Sequence, residues 1–318
     1  MGVGRRRPGR DLPLGSLRTF HLVAAHQSFS AAAAHLGITQ PAVTQQIRRL
    51  EEALGVQLFY RDGRRVALTE VGLTLESYAG RIFHLVDAAR DALEGASGLQ
   101  TGHLRVGASR TAGAYYVAAL LDRFKRRYPG VRVSLSVGNS QTILAGIQDF
   151  TFHVGLVAGA PDDPRLASLP VIRDRMVVVV PRGHRLAGRR RLAVEDLVGC
   201  PLVMREPGSN TRSLAERAFQ ARGVAADPAM ELESNDAIKR AVADGIGIAL
   251  MARAAVAQDL ASGRLVARPL QPPLYLDFSL VYHRDRLPSP LLAAFLALLP
   301  KRAARAGQGK APSHLVVD

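Results

Sequence analysis

The sequence predicts an α/β protein in three parts: a winged helix-turn-helix, one long linker helix, and a C-terminal α/β region. Three observations carry this. Residues 28–54, SFSAAAAHLGITQPAVTQQIRRLEEAL, read as two short helices around a tight turn. Residues 70–96 hold no proline and repeat apolar residues at 3–4 spacing. From Leu104 onward strands and helices alternate, the texture of parallel sheet covered by helices on both faces.

Each element has a local cause. An amphipathic helix, Leu17–Ala25, comes first and closes a three-helix core. The alanine-rich helix Ala31–Leu36 lets a neighbour approach closely, and Gly37 supplies a left-handed turn at its end. Thr39 is a good N-cap for the next helix, and Pro41 sits in its first turn, where a missing N–H costs little. That helix lines up Val43, Ile47, Leu50 and Leu54 on one stripe. Gln40, Thr44, Gln45 and Arg48 fall on the other side, and such a face suits the reading of base edges in a major groove. An ordinary helix pair with a solvated polar face is the commoner structure. The order of the surrounding parts favours the DNA reader. Gly55–Arg61 and Arg64–Thr69 read as two strands joined at Asp62-Gly63, a wing carrying three arginines where a phosphate backbone would pass.

The long helix carries Leu75, Tyr78, Ile82, Leu85, Ala89 and Leu93 as a narrow seam, which favours pairing with a second chain. Gly95, Gly98 and Gly102 then mark a hinge. Beyond it come strand Leu104–Ala108, helix Tyr115–Tyr128, strand Val131–Val137, helix Gln141–Phe150 and strand His153–Val157. A second run holds strand Arg175–Val180, strand Pro201–Met204, helix Leu214–Ala221, strand Met230–Glu233 and helix Asp236–Asp244, followed by Gly245–Met251. Strand Tyr275–Tyr282 and helix Pro290–Leu299 close the chain.

The formal charge is +15, with a pI near 11, which favours an anionic partner. Residues 1–70 hold ten arginines against five acids, a net of +5, so most of the excess lies elsewhere. One cysteine, Cys200, excludes an internal disulfide and a cysteine-based metal cluster. The basic N-terminus is followed by no apolar run, and Leu291–Pro300 is too short to span a bilayer, so a cytoplasmic protein without membrane contact is expected. HExxH, paired-Cys and GxSxG signals are absent, and Gly102 to Gly107 lacks the Lys-Ser/Thr of a P-loop. The expectation is a non-enzyme without cofactor or metal.

Five runs occur in order between Leu14 and Gly72: L-x-x-L-R-T-F, S-F-S-x-A-A, L-x-I-T-Q-P-A-V-T-x-Q-I-R-R-L-E, L-G-V-x-L-F-x-R and L-T-E-x-G. Together they resemble the N-terminal domain of the LysR-type transcriptional regulators, and the similarity continues to about Leu299. The resemblance implies a winged helix-turn-helix DNA-binding domain at 12–69 and a linker and dimerisation helix with its hinge at 70–101. It implies a two-lobed, periplasmic-binding-protein-like effector domain at 102–301, with lobe I at 102–172 and 271–301 and lobe II at 173–270. Residues 1–11 and 302–318 show no periodicity and are expected to be disordered. The implied partners are double-stranded promoter DNA, a small effector, a second copy of the chain in a homodimer that doubles to a homotetramer, and RNA polymerase. DNA contacts are expected from Gln40, Pro41, Thr44, Gln45, Arg48, Arg61 and Arg64.

In open parallel sheets, ligands bind beyond the carboxyl ends of strands, where helix N-termini present N–H groups. That rule selects Ser109, Arg110 and Thr111 after the first strand, and Asn139 and Ser140 after the second. In the second run it selects Gly208, Ser209, Thr211 and Arg212, then Ser234 and Asn235. Ser109, Ser209 and Ser234 read equally as plain N-caps. Hydroxyls, backbone N–H groups, Arg110 and Arg212 suit an anion: carboxylate, phosphate, sulfate or sulfite. Residues 205–212 and 237–242 resemble the branch of the family that regulates carbon-dioxide fixation or sulfur assimilation. Phe152-His153 stands where family members often carry Leu-Asp, and Ala158 where they carry an acid. Two rivals stay open: a small-molecule binding protein with an N-terminal dimerisation module, and an architectural DNA binder without a ligand.

Overall fold

The computed structural model describes residues 12–60, 66–95, 101–286 and 289–299. The chain forms two compact units that divide between Ala89 and Arg90.

The first unit opens with helices α1 (Leu14–His26), α2 (Phe29–Leu36) and α3 (Gln40–Leu54). The Ser28 hydroxyl accepts from Ala31 N–H at 3.2 Å, capping α2. Gly37 ends that helix at φ +66, the left-handed turn its sequence asks for. Thr39 holds the N-cap position of α3 with extended backbone, but its side chain makes no capping hydrogen bond. Leu17, Phe20, Val23, Ala32, Val43, Ile47 and Leu50 form one core, which Leu58 and Phe59 complete. The buried Glu51 carboxylate accepts from Leu58 N–H at 2.8 Å, which fixes where the wing departs. The wing pairs Phe59 with Leu68, and Tyr60 N–H reaches Ala67 O at 2.9 Å. Its tip, with the expected Asp62-Gly63 turn, Arg61 and Arg64, lies outside the described residues, as do the two chain ends expected to be disordered.

Helix α4 (Glu70–Gly95) divides the expected seam in two. Leu75, Ala79, Ile82 and Phe83 pack on the unit's own core, while Tyr78 of the expected seam is exposed. Further along, Leu85, Val86 and Leu93 are exposed, Leu93 at 76%. The helix outruns the domain that packs against part of its first half.

In the second unit, lobe I holds β1 (His103–Ser109), α5 (Arg110–Tyr115), α6 (Val117–Arg127), β2 (Arg132–Gly138), α7 (Ser140–Gln148) and β3 (Val154–Ala158). Strand β4 (Leu166–Pro181) then leads into lobe II. That lobe holds β5 (Leu202–Arg205), α8 (Asn210–Gln220), β6 (Pro228–Leu232), α9 (Asn235–Ala243), β7 (Ala249–Ala252), α10 (Arg253–Ala261) and β8 (Leu265–Pro269). Strand β9 (Tyr275–His283) returns to lobe I, followed by α11 (Pro290–Leu296).

The sheet is mixed. β1 pairs in parallel with β2 and β3, and β5 with β6 in a separate two-stranded sheet, as strand–helix alternation requires. The two long strands instead run antiparallel to each other, Leu166–Arg175 against Tyr275–His283. From Met176 onward β4 changes partners to β7 and β8, also antiparallel. A direct return strand needs no helical crossover, so its direction is invisible to an alternation argument. Helix α10 and strand β8 were not expected from the sequence. Their stretch is alanine-rich and carries little apolar periodicity. The helix expected at Tyr115–Tyr128 is α6, and an additional short helix, α5, precedes it across a break at Tyr116, whose hydroxyl reaches Asp174 of β4 at 2.6 Å.

Candidate functional site

In the first unit, α3 buries Val43, Ile47 and Leu50 and turns Gln40, Pro41, Gln45 and Arg48 to solvent, with Thr44 half-buried. The Gln40 amide donates to Thr44 Oγ1 at 3.1 Å, one turn along the same face. Gln46, absent from the expected DNA-contacting set, turns inward and accepts from Thr19 Oγ1 at 2.5 Å. The exposed face therefore presents amide and guanidinium donors at the start of a helix, the arrangement a major groove accepts.

In the second unit, the ends of β1, β2, β3 and β5 converge on a narrow cavity of about 10 Å³, near the space of a single water molecule. Of the residues expected around a ligand, Ser109, Arg110, Thr111, Asn139, Ser140, Ser209 and Thr211 line it. Ser109, Thr111, Ser140, Ser209 and Thr211 are all buried. Ser109 Oγ has no hydrogen-bond partner among the described residues, and its side chain does not cap α5. Buried polar groups ordinarily have a partner, so this hydroxyl is free to meet one supplied from the cavity. Asn139 spends its Oδ1 on capping α7, accepting from Thr142 N–H at 2.8 Å. Asn235 spans the lobes: its Nδ2 donates to Thr111 Oγ1 at 3.2 Å. Gly208 sits at φ +83 so close to lobe I that a Cβ there would lie 2.9 Å from Gln141 Oε1. Only glycine combines that backbone with that approach.

Two expected residues are occupied elsewhere. Arg212 makes ion pairs with Glu216 and Glu231, both at 2.6 Å, and donates to Arg205 O at 3.1 Å. Its guanidinium braces β5, β6 and α8 and does not line the cavity. Ser234 caps α9, accepting from the N–H groups of Asp236 and Ala237, as the plain N-cap reading has it.

Sequence reasoning missed Arg205, Asn210 and Ala158, which also line the cavity. Arg205 is 5% exposed. Its Nε and Nη2 donate to the two Glu206 oxygens at 2.7 and 2.9 Å, and its Nη1 to Asn235 Oδ1 at 3.3 Å. Arg110 donates from Nε to Glu206 at 3.3 Å and pairs through Nη2 with Glu233. Asn210 donates to the Ala158 carbonyl from the opposite lobe. The available signal was a charged pair following a buried strand, since a buried charge requires a partner nearby. The assembled site offers hydroxyls, amides and two guanidiniums, with no group of three or more His, Cys, Asp or Glu side chains placed for a metal among the described residues. That chemistry suits the binding and orienting of a polar ligand.

Residues 14–73 match the family model for the bacterial regulatory helix-turn-helix protein of the lysR family, and residues 97–304 match the LysR substrate binding domain. The HTH-type transcriptional regulator CbbR of Rhodospirillum rubrum is 36% identical, covering 92% of this chain and 97% of that protein. The RuBisCO operon transcriptional regulator of Allochromatium vinosum is 32% identical, covering 92% and 97%. Among solved structures, a full-length OxyR variant from Pseudomonas aeruginosa shares the fold, with a TM-score of 0.75 at 21% identity over 95% of this chain and 100% of that one. The Synechocystis PCC6803 CcmR regulatory domain in complex with 2-PG has a TM-score of 0.59 at 28% identity, covering 64% of this chain and 99% of that one.

Proposed function

The chain belongs to the LysR family of transcriptional regulators, and on that premise we propose how its two units divide the work. It is a DNA-binding regulator with an effector-binding sensor, and the relatives it matches are regulators, not enzymes. In our reading, Gln40, Thr44, Gln45 and Arg48 face the major groove, and Arg61 and Arg64 lie against phosphates. A small anion occupies the cleft between the lobes, contacting Ser109, Thr111, Asn139, Ser140, Ser209 and Thr211. The buried Ser109 hydroxyl without a partner carries this reading. The CcmR regulatory domain, solved in complex with 2-PG, supports a ligand-binding role for this sensor.

The domain boundaries we propose are 12–69 for DNA binding, 70–101 for the linker helix and hinge, and 102–301 for the sensor. The exposed second half of α4 pairs two chains, and sensor contacts double the dimer to a tetramer. RNA polymerase is a further partner in this reading. We place the protein in the cytoplasm; among the described residues no helix is long and apolar enough to cross a membrane.

The test is anisotropy of a labelled duplex from the region upstream of this gene, with and without 2-PG. A specific complex whose affinity or footprint changes with 2-PG is expected. Specific binding indifferent to 2-PG, inorganic phosphate and sulfate would favour an architectural DNA binder.

A further inference from the structure

The cationic side chains of the cleft already hold a carboxylate of the chain's own. Two cationic side chains line it, Arg205 from lobe II and Arg110 from lobe I. Glu206 engages both. It grips Arg205 in two-point contact at 2.7 and 2.9 Å and accepts from Arg110 Nε at 3.3 Å. Arg205 and Glu206 are 5% and 8% exposed, so the pairing lies in a poorly solvated place. Arg110 has a second carboxylate, Glu233, on its Nη2. Two positive charges thus meet two negative ones before any ligand enters.

We infer that Glu206 sets the charge specificity of the cleft, as an internal carboxylate that an anionic effector must displace from Arg205. This rests on the reading that the cleft holds the effector. An anion placed on Arg205 while Glu206 stays would put two like charges on one buried guanidinium, which is unfavourable. A neutral ligand of the same size meets no such repulsion and leaves the pair standing. Two-point recognition by a planar guanidinium favours a carboxylate or phosphate group as the incoming anion. The exchange also has a structural consequence. When Glu206 leaves, Arg110 loses one of its two contacts with lobe II, while the Thr111–Asn235 and Asn210–Ala158 bonds across the lobes do not depend on Glu206. Occupancy by an anion is thereby coupled to how the lobes hold each other.

The experiment is calorimetric titration of the full-length protein with 2-PG and with inorganic phosphate, for wild type, Glu206→Gln and Thr111→Val. Glu206→Gln keeps the side-chain shape and removes the competing charge. It is expected to bind at least one of the two probes about tenfold more tightly than wild type, and Thr111→Val to lose binding. Unchanged or weaker affinity in Glu206→Gln, with wild-type binding still abolished by Thr111→Val, overturns the role of Glu206 and leaves the cleft reading intact. Binding that survives Thr111→Val overturns the cleft reading and this inference with it. Binding by Glu206→Gln alone supports the inference, and binding by neither protein overturns it. Should Glu206→Gln fail to fold, a crystal structure of the wild-type chain soaked with 2-PG decides the matter. Ligand on Arg205 with Glu206 turned away is the expected result. Ligand in the cleft with the Arg205–Glu206 pair intact is the contrary one, as is a cleft left empty.

Discussion

Asn235 Nδ2 donates to Thr111 Oγ1 at 3.2 Å, a direct hydrogen bond between the two lobes of the sensor at the wall of its cavity. Thr111 lies on α5 after strand β1, and Asn235 opens α9 after strand β6, so the bond reports the separation of the lobes at the point where a ligand would enter. The same Asn235 accepts from Arg205, which places the carbonyl and amide ends of one side chain between a hydroxyl and a charge.

Thr111→Val replaces this hydroxyl at nearly constant volume. The variant is expected to lose the response to effector in a reporter assay while keeping wild-type affinity for DNA without effector. Removing the Asn235 partner costs about 1–3 kcal/mol, so thermal unfolding of the variant belongs in the same experiment. A full effector response would place the ligand outside this cavity.

Arg48→Ala is expected to weaken binding to every duplex and to reduce the salt slope by about 0.9, the share of one phosphate contact. Gln40→Ala is expected to keep overall affinity and flatten discrimination between sites by about 1–3 kcal/mol per base pair read. A binding-site selection that returns the wild-type preference from Gln40→Ala would move the recognition face elsewhere on α3.

Leu85→Glu combined with Leu93→Glu tests the free half of the α4 seam, where both side chains are exposed in the single chain. Light scattering is expected to show the mass halved from tetramer to a dimer held by the sensor contacts, with the unfolding temperature of the helix-turn-helix unit preserved. Ile82→Glu is a poorer probe, because Ile82 packs against the unit's own core and a charge there would unfold it. An unchanged mass in the Leu85/Leu93 variant would locate self-association in the sensor.

Tyr116→Phe removes the donor that meets Asp174 at 2.6 Å, leaving the carboxylate with the Ala254 N–H at 3.1 Å. Burial first, then the adjacent carboxylate, pushes the Tyr116 phenol well above its ordinary range, so it stays a donor at all working pH values. The expected loss is about 1–3 kcal/mol of sensor stability, read as a lower unfolding temperature. Because the contact ties α5–α6 to the strand crossing between lobes, an unchanged temperature would show that the crossing is held by β4 and β9 alone.

The parts that repeat locally were legible in the amino acids. Stripes such as Val43, Ile47 and Leu50 are set by helical geometry within fifteen residues, and Gly37 declares its turn by lacking a side chain. Ser109, Thr111, Asn139 and Ser209 follow from a general rule about strand ends, which needs only the order of elements. What tertiary structure alone decided is where long-range partners lie. The antiparallel run of β4 against β9 joins residues about a hundred positions apart, and no local pattern encodes it. Arg212 and Arg205 are the same residue type seven positions apart, yet one braces a strand and the other lines the cavity. Their carboxylate partners explain the difference. Glu216 and Glu231 hold Arg212 in place, while Glu206 stands beside Arg205 at the cavity wall, and charges that leave water settle on whichever opposite charge the fold delivers.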